Sequence, residues 1–258
     1  MKITFRNTTV HFKSKGKGRV IVLLHGFLET SDMWLPFISQ ILKSHQVITI
    51  DLLGHGKTGC VDKTHSMNLM AESVNEVLKN LNVEKVSIIG HSMGGYVALA
   101  FAEKYPKKIT DLCLMNSTFF ADDNERKQLR LRAIDIAKNH YKNLVQLSFM
   151  NLFSEESKLN FETEIKEALT LALKTPVEGF FAAHDGMRLR PDRFEIFNNI
   201  KGNKLIILGK KDTLINQSQI QSKIKNTNTS LIVLSEGHMS HIENKTELFE
   251  VLKKFLKI

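Results

Sequence analysis

Three residues far apart along the chain, Ser92, Asp212 and His238, are of the types that together carry out nucleophilic chemistry. A serine hydroxyl is a weak nucleophile near neutral pH and needs a base within hydrogen-bond reach. An imidazole base in turn needs a carboxylate to fix its tautomer and to stabilise the charge it acquires. Ser92 stands in Gly90-His91-Ser92-Met93-Gly94-Gly95, directly after the apolar run Val86-Ser87-Ile88-Ile89 and directly before Tyr96-Val97-Ala98-Leu99-Ala100-Phe101-Ala102. The first run reads as a strand and the second as a helix, so a single serine carries the reversal between them. So sharp a turn strains the serine's backbone and requires residues without bulk two positions to either side, which Gly90 and Gly94 supply. The hydroxyl would then stand at the carboxyl end of a sheet, with the amino end of a helix behind it, where backbone donors favour developing negative charge.

These side chains meet only if a parallel sheet gathers the ends of its strands at one edge, and the remaining sequence has the pattern for such a sheet. Val20 to Leu24 is a continuous apolar run ending at His25-Gly26-Phe27, and Val47 to Ile50 is another, closing at Asp51 and the turn Gly54-His55-Gly56. Continuous runs of this kind belong to strands covered on both faces. Further strands are predicted over Leu112 to Met115, Leu205 to Leu208 and Leu231 to Leu234. Helical spacing appears between them: Trp34, Phe37, Ile38, Ile41 and Leu42 behind a Ser31 cap; Met67, Met70, Ala71, Val74, Val77, Leu78 and Leu81 after Ser66; Gln217 to Ile224; and Leu248, Val251, Leu252 and Phe255. Ile3 to Phe5 and Val10 to Phe12 flank Asn7 as an opening hairpin.

The expected fold class is therefore α/β, a mostly parallel central sheet of about eight strands flanked by helices. Loops just past Leu24, Ile89, Leu208 and Leu234 share an edge in such a sheet, and they carry Phe27, Ser92, Asp212 and His238. After Asn116 the rhythm breaks. Up to about Gly202 only helix-like patterns occur, with Pro176 and Pro191 as breakers, a stretch too long for an ordinary connection. The expected division is a core of residues 1–117 and 202–258 with a helical cap insertion at 118–201.

Composition narrows the partners. The 258 residues hold 36 Lys and Arg against 27 Asp and Glu, a formal charge of +9. The basic residues are scattered, the densest runs, Lys13 to Arg19 and Lys253 to Lys257, falling at turns or on a helix face, so no nucleic-acid role is expected. Cys60 and Cys113 lack metal-like spacing. No run approaches the ~20 apolar residues of a membrane span, and the start shows no long apolar stretch, so a cytoplasmic location is the expectation.

The order Ser, Asp, His, the turn Gly90 to Gly94, His25-Gly26 after an early strand and Gly237-His238 near the end resemble the α/β-hydrolase family over almost the whole chain. The resemblance implies an α/β-hydrolase fold in which Ser92 is the nucleophile, His238 the general base and Asp212 its orienting acid. It also implies an oxyanion hole made by the backbone amides of Phe27 and Met93. His241 shares the last loop and is the alternative base. Asp51 and Asp111 lie at the wrong strands, and Asn116 occupies the family's other acid position, while Asp212 beside Lys210 and Lys211 also suits a plain turn. A serine rather than an aspartate at position 92 argues against dehalogenase or epoxide hydrolase chemistry.

The expected activity is hydrolysis of small carboxylic esters through an acyl-enzyme, with a small apolar ester-like substrate and no cofactor or metal. Thioesterase, lactonase, carbon–carbon hydrolase or lyase chemistry on the same three residues stays open, as does a slow or non-catalytic small-ligand sensor. Candidate pocket residues are His25, Trp34, Phe119, Phe149, Phe181 and Met187. Arg188, Arg190 and Arg193 could fork a substrate carboxylate, although pairing with Asp185, Asp192 or Glu195 is the favoured reading.

Overall fold

The computed structural model describes residues 1–258. It opens with a hairpin, β1 (Lys2–Phe5) and β2 (Thr8–Lys15). Strand and helix then alternate through β3 (Arg19–Leu24), α1 (Leu35–Ile41), β4 (His45–Ile50), α2 (Met67–Asn80), β5 (Val86–His91), α3 (Met93–Lys104) and β6 (Ile109–Met115). Five helices follow without a strand: α4 (Asn124–Met150), α5 (Glu155–Asn160), α6 (Glu162–Ala172), α7 (Val177–Arg188) and α8 (Phe194–Asn198). The alternation resumes with β7 (Lys204–Gly209), α9 (Gln217–Ile224), β8 (Thr229–Leu234), α10 (Ser240–Glu243) and α11 (Lys245–Leu256).

The eight strands form one sheet in the order β1-β2-β4-β3-β5-β6-β7-β8, with the pairs β1/β2 and β2/β4 antiparallel and the rest parallel. Its register aligns the strand ends. Leu24 lies opposite Gly90, His91 opposite Met115, Met115 opposite Ile207 and Gly209 opposite Leu234. The loops after β3, β5, β7 and β8 consequently leave the sheet at one level.

Alternate residues of each central strand serve opposite faces. Val22, Leu24, Ile48, Ile88 and Leu114 join the core under α2 and α3, whereas Ile21, Leu23, Val47, Ile89 and Cys113 join Trp34, Phe37, Leu248 and Leu252 on the other face. Each fully buried side chain of this kind contributes roughly 1.5–3 kcal/mol. Ser66 caps α2 as its position suggests, its hydroxyl accepting the Leu69 amide at 3.1 Å. The expected cap at Ser31 is displaced by one residue. The Ser31 amide is held by Asp51 Oδ1 at 2.8 Å, and Thr30 caps a single 3-10 turn over Ser31–Trp34 instead.

The inserted helices build a third core in which Val145, Phe149, Phe153 and Phe180 close on Leu28 and Met239 from the sheet-bearing part. Arginines fasten this cap. Arg190 pairs with buried Asp122 at 2.7 Å and lies 3.9 Å over the Tyr96 ring, and Arg193 reaches Glu103 at 2.9 Å and Asn68 at 2.6 Å. With Arg188 on Asp185 at 2.6 Å, all three arginines of the sequence cluster take structural partners, of which only Asp185 was among those expected.

Candidate active site

Ser92 sits between β5 and α3 with φ +48° and ψ −114°, a conformation a non-glycine residue rarely adopts. Its neighbours make that turn possible. A Cβ on Gly94 would lie 2.5 Å from the carbonyl oxygen of Leu24, and one on Gly90 would strike the backbone of Gly94. The strained peptide is pinned from outside: the Ser92 amide donates to Met115 O at 2.9 Å, and the Ser117 hydroxyl donates to Ser92 O at 2.7 Å.

The three predicted residues converge. His238 Nε2 is 3.0 Å from Ser92 Oγ, and His238 Nδ1 is 2.8 Å from Asp212 Oδ2. Asp212 is buried, and burial alone would raise its carboxyl. The neighbouring imidazole and the hydrogen bonds from His238, the Leu214 amide and Asn116 more than offset this, holding it below the usual aspartate value. An ionised Asp212 requires a proton on Nδ1, which leaves the His238 Nε2 lone pair to accept the serine proton. Phe27, on the loop after β3, has an amide with no acceptor in the chain. Met93 is the first residue of α3, where amides lack intrahelical acceptors.

Asn116, which the sequence marks only as the wrong acid, holds the two loops together. Its Nδ2 donates to Asp212 Oδ2 and to Gly237 O, each at 3.2 Å, its Oδ1 accepts from Ser240 Oγ at 2.7 Å, and its own φ is +45°. An amide beside β6 carries no motif, so only the three-dimensional contacts expose this role.

A cavity of about 320 Å³ lies over Ser92 and His238, walled by Phe27 and Leu28 from the core and by Arg126, Arg130, Phe149, His184 and Met187 from the cap. Phe149 and Met187 were expected there. The other pocket candidates are not. Trp34 is fully buried beside Phe37, Phe119 stacks among Phe120, Phe194 and Phe197, and Phe181 packs edge-on to its neighbour Phe180 in the cap core, with ring centroids 6.2 Å apart. His25 stands behind the wall, donating from Nδ1 to Gly26 O at 2.7 Å and accepting the Leu52 amide on Nε2 at 2.9 Å, which makes it a neutral turn-holder.

Most of the lining is apolar, 11 of its 18 residues being hydrophobic. Two arginines line the cavity and no carboxylate does; Arg130 is tied to Asp122 behind the wall, whereas Arg126 has no acidic partner. His184 packs edge-on to Phe27, with centroids 4.7 Å apart, and burial pushes its pKa down to about 3, so it presents a neutral ring.

The alternative base, His241, turns instead toward Glu29, its Nε2 3.5 Å from Oε1. Glu29, His91 and His241 bring ligand atoms within 4.8 Å of one another, close enough for a metal ion. Glu29 Oε2 is taken up by the Gly26 amide and by His91 Nδ1 at 2.7 Å, and only Oε1, facing His241, is without a hydrogen-bond partner. The group is an ion pair beside a neutral imidazole.

A family model described as alpha/beta hydrolase fold matches residues 19–245. An uncharacterized protein of Mycobacterium tuberculosis is 34% identical over 119 residues, 44% of this chain and 35% of that protein, so the chain matches about a third of the length of such curated relatives. A 3-oxoadipate enol-lactonase of Acinetobacter baylyi is 25% identical over 227 residues, covering 87% of this chain and 84% of the enzyme. Among solved structures, a thermophilic esterase from Thermogutta terrifontis, with malate bound, superimposes with a TM-score of 0.92 at 25% identity, covering 100% of this chain and 97% of the esterase.

Proposed function

Since the chain belongs to the alpha/beta hydrolase fold family, we propose that it is a serine hydrolase in which Ser92 attacks the carbonyl carbon of a carboxylic ester. As the Ser92 Oγ–C bond forms, the hydroxyl proton passes to His238 Nε2, and the amides of Phe27 and Met93 hold the oxyanion. The intermediate collapses by breaking the bond to the leaving oxygen, which takes the proton from His238. Water then adds to the acyl-enzyme, gives its proton to the same nitrogen, and the acid departs as Ser92 regains its hydrogen. The observation that carries this reading is the line of two hydrogen bonds from Ser92 Oγ through His238 to Asp212.

Within that chemistry, a small cyclic ester bearing its own carboxylate fits better than an open apolar one. The lining supplies an uncompensated Arg126 and no acid, and the similar enol-lactonase acts on a lactone. Two measurements test the proposal. A fluorophosphonate probe should label the parent enzyme and fail on Ser92→Ala, whose turnover of a short-chain nitrophenyl ester or a lactone should drop by on the order of 10⁶. Labelling at Ser92 without turnover on any ester or lactone would favour the ligand-sensor reading. Arg126→Gln should raise KM for carboxylate-bearing lactones by about tenfold or more while sparing neutral ones, since a charge-assisted hydrogen bond contributes about 1.5–3 kcal/mol. Equal effects on both would remove the carboxylate from the proposal.

A further inference from the structure

A second histidine–carboxylate pair lies directly beneath the first, and the reaction described above leaves it unused. Glu29 and His91 are 6% and 1% exposed in their side chains, so neither is held there by solvent. His91 Nδ1 is 2.7 Å from Glu29 Oε2, and His91 Nε2 is 3.0 Å from the backbone carbonyl of His238. A carbonyl oxygen only accepts, and Glu29 Oε2 already accepts from the Gly26 amide. Glu29 is held below the ordinary glutamate value and so is ionised and only accepts, which makes both ring nitrogens of His91 donors and the ring an imidazolium. A buried cation of this kind persists only with an ionised partner, which Glu29 provides.

The connections of this pair are what distinguish it from a packing feature. Glu29 fixes the amide of Gly26, the residue next to Phe27 in the turn expected to bind the oxyanion. His91 precedes the nucleophile, and its far nitrogen grips the peptide of the base itself. The rings of His91 and His238 are 5.3 Å apart, and the rings of His91 and His241 are also 5.3 Å apart. Facing the pair are His25 from the turn after β3, His238 and His241 from the segment after β8, and Asp212 from the turn after β7.

We propose that Glu29 and His91 are a positioning pair that ties the oxyanion turn to the loop of the catalytic base, so that His238 is held by its backbone from one side and by Asp212 through its ring from the other. The inference rests on Ser92 and His238 being nucleophile and base. Without the bridge, the loop from Gly237 to Met239 keeps its fold but loses the contact that sets the depth of the imidazole over Ser92, and misplacement of about 1 Å is enough to cost 10²-fold in rate.

The test uses the full chain with ¹⁵N-labelled histidine. Long-range proton–nitrogen spectra near neutral pH should contain one ring with both nitrogens protonated, absent in His91→Gln and moved toward a neutral ring in Glu29→Gln. A His91 signal with one bare nitrogen in the parent protein overturns the proposal, whatever the variants do. In kinetics, Glu29→Gln and His91→Gln should each lower kcat on a short-chain ester or lactone about 10- to 100-fold, with KM within about threefold. The double variant should be no slower than the worse single one, because the two residues act as one unit. Melting midpoints that fall while kcat stays within threefold, or losses that multiply in the double variant, would reduce the pair to packing. Failure of the parent to label with fluorophosphonate would strike the hydrolase reading instead and leave the spectroscopic result standing.

Discussion

Asp212 and Glu29 are both buried carboxylates facing an imidazole, and both stay ionised because their partners outweigh burial. For Glu29, burial pushes upward, but the charge of His91 and the His91 hydrogen bond bring it down to about 2 from an ordinary 4.5. A depressed carboxyl adds stability that is complete above its unfolded value and is lost as pH falls through the folded one. His91 has the opposite sign. Burial opposes its charge, Glu29 overrides that, and its raised value adds stability that is complete below 6.5 and fades as pH rises through the folded value. The pair therefore stabilises most between about pH 4.5 and 6.5. The difference in melting temperature between the parent and Glu29→Gln should be largest in that window and shrink on either side, as a pH series of thermal melts would reveal. At the same scale, Asp212→Asn should keep the fold and lower turnover by about 10⁴, since an amide stabilises the wrong tautomer of His238. A loss of only a few-fold would mean that another group orients the base.

The strand-to-helix turn is an element whose cost is met by its neighbours. Gly94 touches the end of β3, so Gly94→Ala drives a methyl into the Leu24 and His25 carbonyls, 2.5 and 2.6 Å away. Overpacking against backbone of this kind costs about 1–3 kcal/mol and should lower the urea midpoint while spreading Ser92 from the Phe27 amide. The cap latch is the second such element. Arg190→Ala leaves Asp122 with Arg130 alone and strips the cation from Tyr96, so a loss of about 2–4 kcal/mol is expected. Arg188→Ala, on a half-exposed pair, should change stability by less than about 1 kcal/mol in the same denaturation experiment.

For the molecule as a whole, substrate choice is a property of the closed cap. The cavity of about 320 Å³ exists because Phe149, His184 and Met187 close over Ser92, and it is at the small end for ligand pockets. Lengthening a nitrophenyl ester from a two-carbon to a twelve-carbon acyl chain should therefore cut kcat/KM by about tenfold or more. Trimming the wall with Met187→Ala should recover part of that loss. If long chains are cleaved as well as short ones, the cap does not set the limit.

Much of this was readable along the chain because local physics sets it. Continuous apolar runs identify buried strands wherever they lie, the glycines at 90 and 94 mark a turn no bulkier residue permits, and strand ends in a parallel sheet must share an edge. Those facts place Phe27, Ser92, Asp212 and His238 at one edge of the sheet. Wall and support were not readable. Aromatic residues such as Trp34 and Phe119 are equally suited to a pocket and to a core, and nothing local distinguishes the two until packing assigns each a face. Arg126, His184, Asn116 and the Glu29–His91 bridge act across separations of 62 to 147 residues or through the angle of the cap, as the His91 contacts with Glu29 and His238 illustrate. Spacing in sequence reports only what neighbours along the chain require, whereas a contact between distant loops is decided by how whole layers dock.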